Sequence, residues 1–373
     1  MAYTTIDDPS QYFQTTLYTG DGSSSNAITN GGNSDLQPDW IWIKDRVATN
    51  GHGLQDTSRG ITKVLFANGD DSEDQYTNTM VSSVQSDGFT VPNNSNSNTN
   101  SNKYVAWQWK CNGGTTTSFT ESGNNPGGTI QTNTTAGFSI ITTTGTGNTG
   151  TIAHGLGAVP HWWLSKQRSN TENWAVYHVK NTSAPETEIL SLNTTDGTAD
   201  NANAYNDTAP TSTNLTVHTK NEVNTDGRTY VHYVFIPIQG FSKFGSYIGG
   251  GDVAGNNDAS GPFIHTGFKP AWVMLRNTKD GEGWFIHDSK IDDNGVNDAG
   301  NAAGAVGNPV ERRFQVNTTQ AEVGTTNAVD FLSNGFKLRT DTGSHNGADD
   351  SFIYMAFAEH PFVSSKGVPV TAR

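Results

Sequence analysis

Cysteine is almost missing from this chain of 373 residues, where Cys111 stands alone. One cysteine excludes an intramolecular disulfide and any Cys-clustered metal site. Charge is sparse too. Asp, Glu, Lys and Arg make up 16 % of the sequence, and the formal net charge is −14. Without a basic run to neutralise phosphates, no nucleic-acid partner is expected. No apolar stretch reaches the roughly 18 residues of a membrane helix, and the N-terminus has no charged-then-apolar signal pattern. Membrane insertion is therefore not expected. There is no P-loop, no dinucleotide fingerprint and no serine elbow. No segment holds a 3.6-residue period over ten or more positions, so long helices are not expected either.

What the chain does have is glycine, 41 residues of it, and aromatic side chains: nine Trp, seventeen Phe and eleven Tyr. Disordered segments are poor in aromatics, so this reads as a folded β-protein with many turns and short core strands. One phrase occurs three times. Pro38-Asp39-Trp40-Ile41-Trp42-Ile43-Lys44, Pro160-His161-Trp162-Trp163-Leu164-Ser165-Lys166 and Pro270-Ala271-Trp272-Val273-Met274-Leu275-Arg276 each run from a proline through a Trp-led apolar stretch to a cation. Proline cannot donate to a ladder and suits the start of a strand; the run after it suits a strand buried on both faces.

The landmarks around that phrase repeat in order. A Gly turn (Gly20, Gly145, Gly249) precedes it. A His-bearing segment, an apolar strand, a Gly-Phe strand and an aromatic closing strand follow. Asn214-Leu215-Thr216-Val217 fills the Gly-Phe place in the second copy. The reading is all-β: three tandem, related, sandwich-like domains of roughly 110 to 130 residues each. The expected boundaries are 1–110 for the first repeat with a polar lead-in and 111–135 for a Gly/Thr/Ser linker. The second repeat spans 136–240, and the third, with a C-terminal tail, spans 241–373.

Candidate chemistry is thin. His52, His178 and His287 fall at similar landmarks, and His287-Asp288-Ser289 has the residue types of a triad. Neighbours on a strand point to opposite faces, so that run cannot itself be one. Asp70-Asp71, Glu73-Asp74 and Asp292-Asp293-Asn294-Gly295 offer hard oxygen ligands, as Ca²⁺ requires, but lack EF-hand spacing. Trp40/Trp42 and Trp162/Trp163 could stack on sugars or fill a core; the core reading is favoured because Trp42 repeats the face of Trp40. Paired carboxylates for glycoside cleavage are a matter of three-dimensional separation, and no acidic residue recurs at one place in all three copies. No catalytic residue, metal ligand or cofactor is assigned, and the binding residues stay unknown. Contact residues are sought on the loops 93–102, 197–213 and 292–309, since variable function sits on loops held by a scaffold.

The runs Phe13–Gly22, Pro38–Arg46, Gly88–Val91, Tyr104–Lys110, Phe241–Tyr247, Gly267–Arg276, Asp330–Leu338 and Tyr354–Arg373 resemble a repeat of structural proteins from tailed bacteriophages, above all marine phages. The likeness is most specific in Phe-Ser-Lys-Phe-Gly-Ser-Tyr (241–247) and Phe-Leu-Ser-Asn-Gly-Phe-Lys-Leu (331–338). Such repeats often sit behind a lectin-like β-sandwich, whereas this sequence opens directly on the repeat. The resemblance implies a non-enzymatic virion protein of tail-fibre or appendage type. It would present loops to a host-surface glycan, contact other virion proteins and form a homo-oligomer. A capsid decoration or cement protein is the alternative, and a polysaccharide depolymerase a third.

Overall fold

The protein is described by a computed structural model. It covers residues 2–73, 79–251, 261–291 and 310–370, without the side chains of 325–328. The fold is all-β. The α-helices among the described residues are single four-residue turns, α1 (Ala202–Tyr205), α2 (Asn221–Asn224) and α3 (Gly343–Asn346).

The first unit contributes β1 (Phe13–Thr19), β2 (Asn26–Ile28), β3 (Trp40–Asp45), β4 (Gly53–Asp56), β5 (Leu65–Phe66), β6 (Ser83–Gln85), β7 (Gly88–Val91) and β8 (Lys103–Trp109). Next come β9 (Thr117–Phe119) and β10 (Gly127–Asn133). The second unit holds β11 (Phe138–Thr144), β12 (Gly150–Ala153), β13 (Trp162–Gln167), β14 (Ala175–His178), β15 (Glu188–Ser191), β16 (Ala199–Asp200), β17 (Asn214–Val217) and β18 (Thr229–Phe235). The third holds β19 (Ser242–Ile248), β20 (Phe263–His265), β21 (Phe268–Asn277), β22 (Trp284–Asp288), β23 (Val310–Gln315), β24 (Val323–Leu332), β25 (Gly335–Leu338) and β26 (Ser351–Pro361).

One strand order recurs: β1-β8-β3-β4-β5, then β11-β18-β13-β14-β15, then β19-β26-β21-β22-β23. Each Pro-Trp strand is central, paired with the closing strand on one side and the next strand in sequence on the other. Each sheet has a smaller second layer: β2-β7-β6, β12-β17 and β20-β25-β24. In the third unit that layer stays joined to the main sheet through the β23–β24 pair. The segment 111–135, expected as a linker, is partly strand. β10 pairs along the outer side of β11, and β9 along β10. The Thr and Ile content of β10 suits a partly buried strand next to the sheet edge formed by β9, and composition alone hid this.

Alternation along the central strands decides the packing. Trp40 and Trp42 face one way and Ile41 and Ile43 the other; all four are buried. Ile41 and Ile43 join a core confined to the first unit, with Val91, Phe89 and Tyr104. Trp163 serves the equivalent core of the second unit, Val273 and Leu275 that of the third. The opposite faces of all three sheets meet in one shared core. It contains Trp40, Trp42 and Trp109, then Trp162, Leu164 and Phe235, then Trp272, Met274 and Phe357. Trp109, Phe235 and Phe357 hold the same register position on the three closing strands. The Phe357 ring lies 5.6 Å from that of Trp109 and 5.7 Å from that of Phe235. Trp40 stacks on Tyr233 of the second unit at 4.5 Å. Each sheet therefore buries both faces, which accounts for the unbroken apolar runs.

Candidate functional site

The strand register replaces the expected equivalence of the three histidines. Trp40, Trp162 and Trp272 stand opposite Asp56, His178 and Asp288, so these three residues are equivalent. By the same register His52 matches Trp174 and Trp284, while His287 matches Gln55 and Tyr177. All three histidines are buried. Matching by landmark order slipped because it did not count from the Trp. The paired position stands sixteen residues after Trp40, Trp162 and Trp272 alike, whereas His52, His178 and His287 stand twelve, sixteen and fifteen after them.

Asp56, His178 and Asp288 each reach into a neighbouring unit. Asp56 accepts a hydrogen bond from the Tyr233 hydroxyl of the second unit at 2.7 Å. His178 Nε2 faces the Tyr354 carbonyl of the third at 3.1 Å. Asp288 accepts from Thr15 Oγ1 at 2.6 Å and Trp107 Nε1 at 2.9 Å, both of the first. The contacts run first to second, second to third and third to first. A head-to-tail contact that returns to its start makes a closed ring.

The cations that end the Pro-Trp runs form a ring in the opposite sense. Lys44 Nζ donates to the Thr319 carbonyl of the third unit, and Lys166 Nζ to the Asp70 carbonyl of the first. Arg276 donates to the Ser191, Thr194 and Asp196 carbonyls of the second. Burial pushes Lys44 and Lys166 down to about 8 and Arg276 down to about 10. Beside them one backbone bond occurs three times: Glu322 N to Arg46 O at 3.0 Å, Glu73 N to Arg168 O at 2.9 Å and Thr198 N to Thr278 O at 2.9 Å. Trp174 Nε1 donates to Phe66 O and Trp284 Nε1 to Ser191 O, both at 2.9 Å. In the first unit His52 takes that place against the Gln315 carbonyl, and its Nε2 closes no hydrogen bond of good geometry.

These uses account for most of the candidate chemistry. The Asp70 carbonyl already receives the Lys166 ammonium, and Glu73 is paired with Arg59 and Arg168. Residues 292–309, including the Asp292–Gly295 run and one expected contact loop, lie outside the described residues, as does Asp74. Among the described residues no group of three or more His, Cys, Asp or Glu could hold a metal ion. The buried carboxylates are occupied too. Asp39 takes Thr57 Oγ1 and the Cys111 and Gly113 amides, and Asp45 takes the Val47 and Ala48 amides with Asn50 and Asn102. Trp40, Trp42, Trp162 and Trp163 are core residues, each no more than 2 % exposed. His287 and Asp288 do face opposite ways, toward His345 and toward Thr15.

The remaining loops divide. In 93–102, one of the expected contact loops, Ser97 and Asn98 are buried. Asn98 accepts the Gly22 amide on its carbonyl and the Asp21 amide on its side chain, and its Nδ2 donates to Ser23 O. Asn224 binds Gly147, Thr146 and Asn148 in the same way. Asn346 does so with Gly251 and Gly250. Each unit thus has an asparagine clamp that pins the Gly turn after its first strand. The turn needs glycine. A Cβ at Gly20, Gly145 or Gly249 would lie 2.1, 2.3 or 2.1 Å from a facing carbonyl oxygen. The clamp had a sequence signal: Asn98, Asn224 and Asn346 each stand six residues ahead of the aromatic that opens a closing strand, Tyr104, Tyr230 or Phe352. The loop 197–213 is mixed. Thr198 joins the ring contact and Tyr205 is buried, while Asn206–Ala209 and Thr211–Thr213 are exposed.

What faces solvent beside the clamps is polar and carries one exposed carboxylate in each unit, Asp21, Asp226 and Asp349: Asp21–Ser25 with Asn93–Asn96 and Thr99–Asn102, Thr146–Thr149 with Thr225–Gly227, and Thr342–Ser344 with Gly347–Asp349. These tips occupy equivalent places on the three units and offer hydroxyls, amides and backbone groups. No helix among the described residues is long and apolar enough to cross a membrane. A family profile described as a domain of unknown function (DUF7483) matches residues 8–361, across all three units. No curated protein matches the chain.

Proposed function

The chain belongs to the DUF7483 family, and from that premise we propose that it is a non-enzymatic structural protein of a tailed-phage virion. It comprises three tandem sandwich-like repeats fused on one core, at 1–110, 136–240 and 241–373, and works as a tail-fibre or appendage component. Its three tips meet a host-surface glycan, and it assembles with other virion proteins and with further copies of itself. One observation carries this reading: the ring of contacts closes within a single chain and sets three equivalent polar tips on a rigid, doubly buried scaffold. Hydroxyl, amide and carboxylate groups on rigid turns suit sugar hydroxyls, which are both donors and acceptors. The resemblance to phage repeats supplies the setting. The non-enzymatic part rests on the buried histidines and carboxylates being tied into structural bonds.

The same ring favours a second reading, a capsid cement protein seated at a three-fold position of the shell. Immunogold labelling of particles separates the two. Label on the tail, with glycan retention lost when Ser23, Thr146 and Ser344 are replaced together by Ala, supports adhesion. Label over the shell supports cement, and unlabelled particles sink both.

A further inference from the structure

The third unit carries one polar cluster that its sisters lack. His287 on β22 and His345 on α3 are fully buried, with their Nε2 atoms 2.9 Å apart. His345 Nδ1 lies 2.7 Å from Ser344 Oγ and 3.4 Å from Arg313 Nη1. An arginine only donates. His345 Nδ1 must therefore be the bare, accepting nitrogen, and its proton sits on Nε2. That proton points at His287 Nε2, which must accept, leaving the proton of His287 on Nδ1, which faces the Arg312 carbonyl without closing a hydrogen bond of good geometry. Each imidazole is neutral and each tautomer is fixed.

No further proton fits. At His345 Nδ1 it would meet the Arg313 guanidinium, and at His287 Nε2 it would meet the N–H of His345. The charged group felt directly by both rings is Arg313. Glu282 offsets Arg313 in part. Asp350 and Lys279 pair with each other beyond it. The corresponding residues elsewhere do not titrate in this range: Gln55 and Ser97 in the first unit, Tyr177 and Val223 in the second.

A serine beside two linked histidines also suggests acyl transfer, but the geometry opposes it. The imidazolium that such a step forms on His345 would face Arg313.

We propose instead that His287 and His345 form an acid-released latch on residues 342–350. Below neutral pH the open segment binds protons that the closed latch excludes, so acid favours opening. Burial holds both rings below the ordinary histidine value, in agreement. Because Asn346 in this segment clamps Gly250 and Gly251, release loosens the tip of the third unit and leaves the other two clamped. The inference is independent of the virion reading, since it concerns proton binding by the isolated chain.

Hydrogen exchange on the full chain between pH 7 and 4.5, normalised for intrinsic exchange, tests it. Protection at 342–350 should fall below about pH 6, with close to two protons taken up per opening, while β3, β13 and β21 stay protected. His287→Gln should reduce the uptake to about one proton. Arg313→Gln should move the opening to lower pH by making the closed imidazolium less costly. The latch is refuted if 342–350 stays closed until the whole chain unfolds, or if both variants open at the wild-type pH with the wild-type slope.

Discussion

Two of the three ring contacts use a carboxylate and the third uses an imidazole, and the facing residue explains why. Tyr233, Trp107 and Met355 occupy one register position on the closing strands. Tyrosine and tryptophan bring a donor, and the neighbouring unit supplies Asp56 or Asp288 to accept it. Methionine brings none. There the neighbour supplies His178, which takes the Lys180 amide on Nδ1 and turns Nε2 to a backbone carbonyl. A buried polar group is tolerable only with its complement, and each seam of the ring solves that requirement separately.

Acid should break the comparison most severely. His178 is pushed down to about 4 by burial, and His232 and His287 down to about 3. Folded, these rings exclude protons that the unfolded chain accepts below about 6.5. Their contribution is complete above that value and is lost as pH falls toward 3–4. Asp288 runs the other way, because burial raises it and the folded form takes up its proton first. The expected outcome is a denaturant midpoint that falls steadily from pH 7 to 4, with a shallower fall in His178→Gln. An unchanged slope in that variant would remove the second-to-third contact from the account.

At neutral pH, Asp288→Ala should cost about 3–5 kcal/mol, since it strands Trp107 Nε1 and Thr15 Oγ1 in the interior. Chemical denaturation would measure it. His178→Asp should cost about 3 kcal/mol by setting a carboxylate against the Tyr354 carbonyl. Adding Met355→Tyr to that variant should return about 1–2 kcal/mol, read as coupling in a double-mutant cycle. Zero coupling would mean that the pairing of acceptor and donor is coincidence. The smallest effect belongs to a clamp: Asn224→Ala should cost about 1–2 kcal/mol and free the Thr146–Asn148 turn first, as seen by hydrogen exchange.

The all-β class and the three Pro-Trp strands were readable because each rests on local chemistry: proline at the start, an apolar run, a cation at the end. The burial of both faces was readable from the same runs. Which histidine matches which was within reach too and was missed by following landmark order: the spacing from the Trp is twelve residues for His52, sixteen for His178 and fifteen for His287, while the paired position is always sixteen. The linker reading failed at 117–119 and 127–133 because the last two strands at the margin of a sheet, only partly buried, need few hydrophobic residues. The asparagine clamps were within reach, had the sequence been aligned on its closing strands. The rings of Asp56, His178 and Asp288 and of Lys44, Lys166 and Arg276 were out of reach, since nothing local tells a side chain that its partner lies in another copy.

On the proposal that the three units are copies of one ancestral repeat, that arrangement restrains how they can diverge. After a tandem gene multiplies, its segments ordinarily drift apart one by one. Here a change at 233, 355 or 107 is felt by the segment next around the circle, at 56, 178 or 288. In related chains, acids should persist at those three places only where a hydroxyl or indole confronts them, and substitutions should arrive as couples written far apart in the gene.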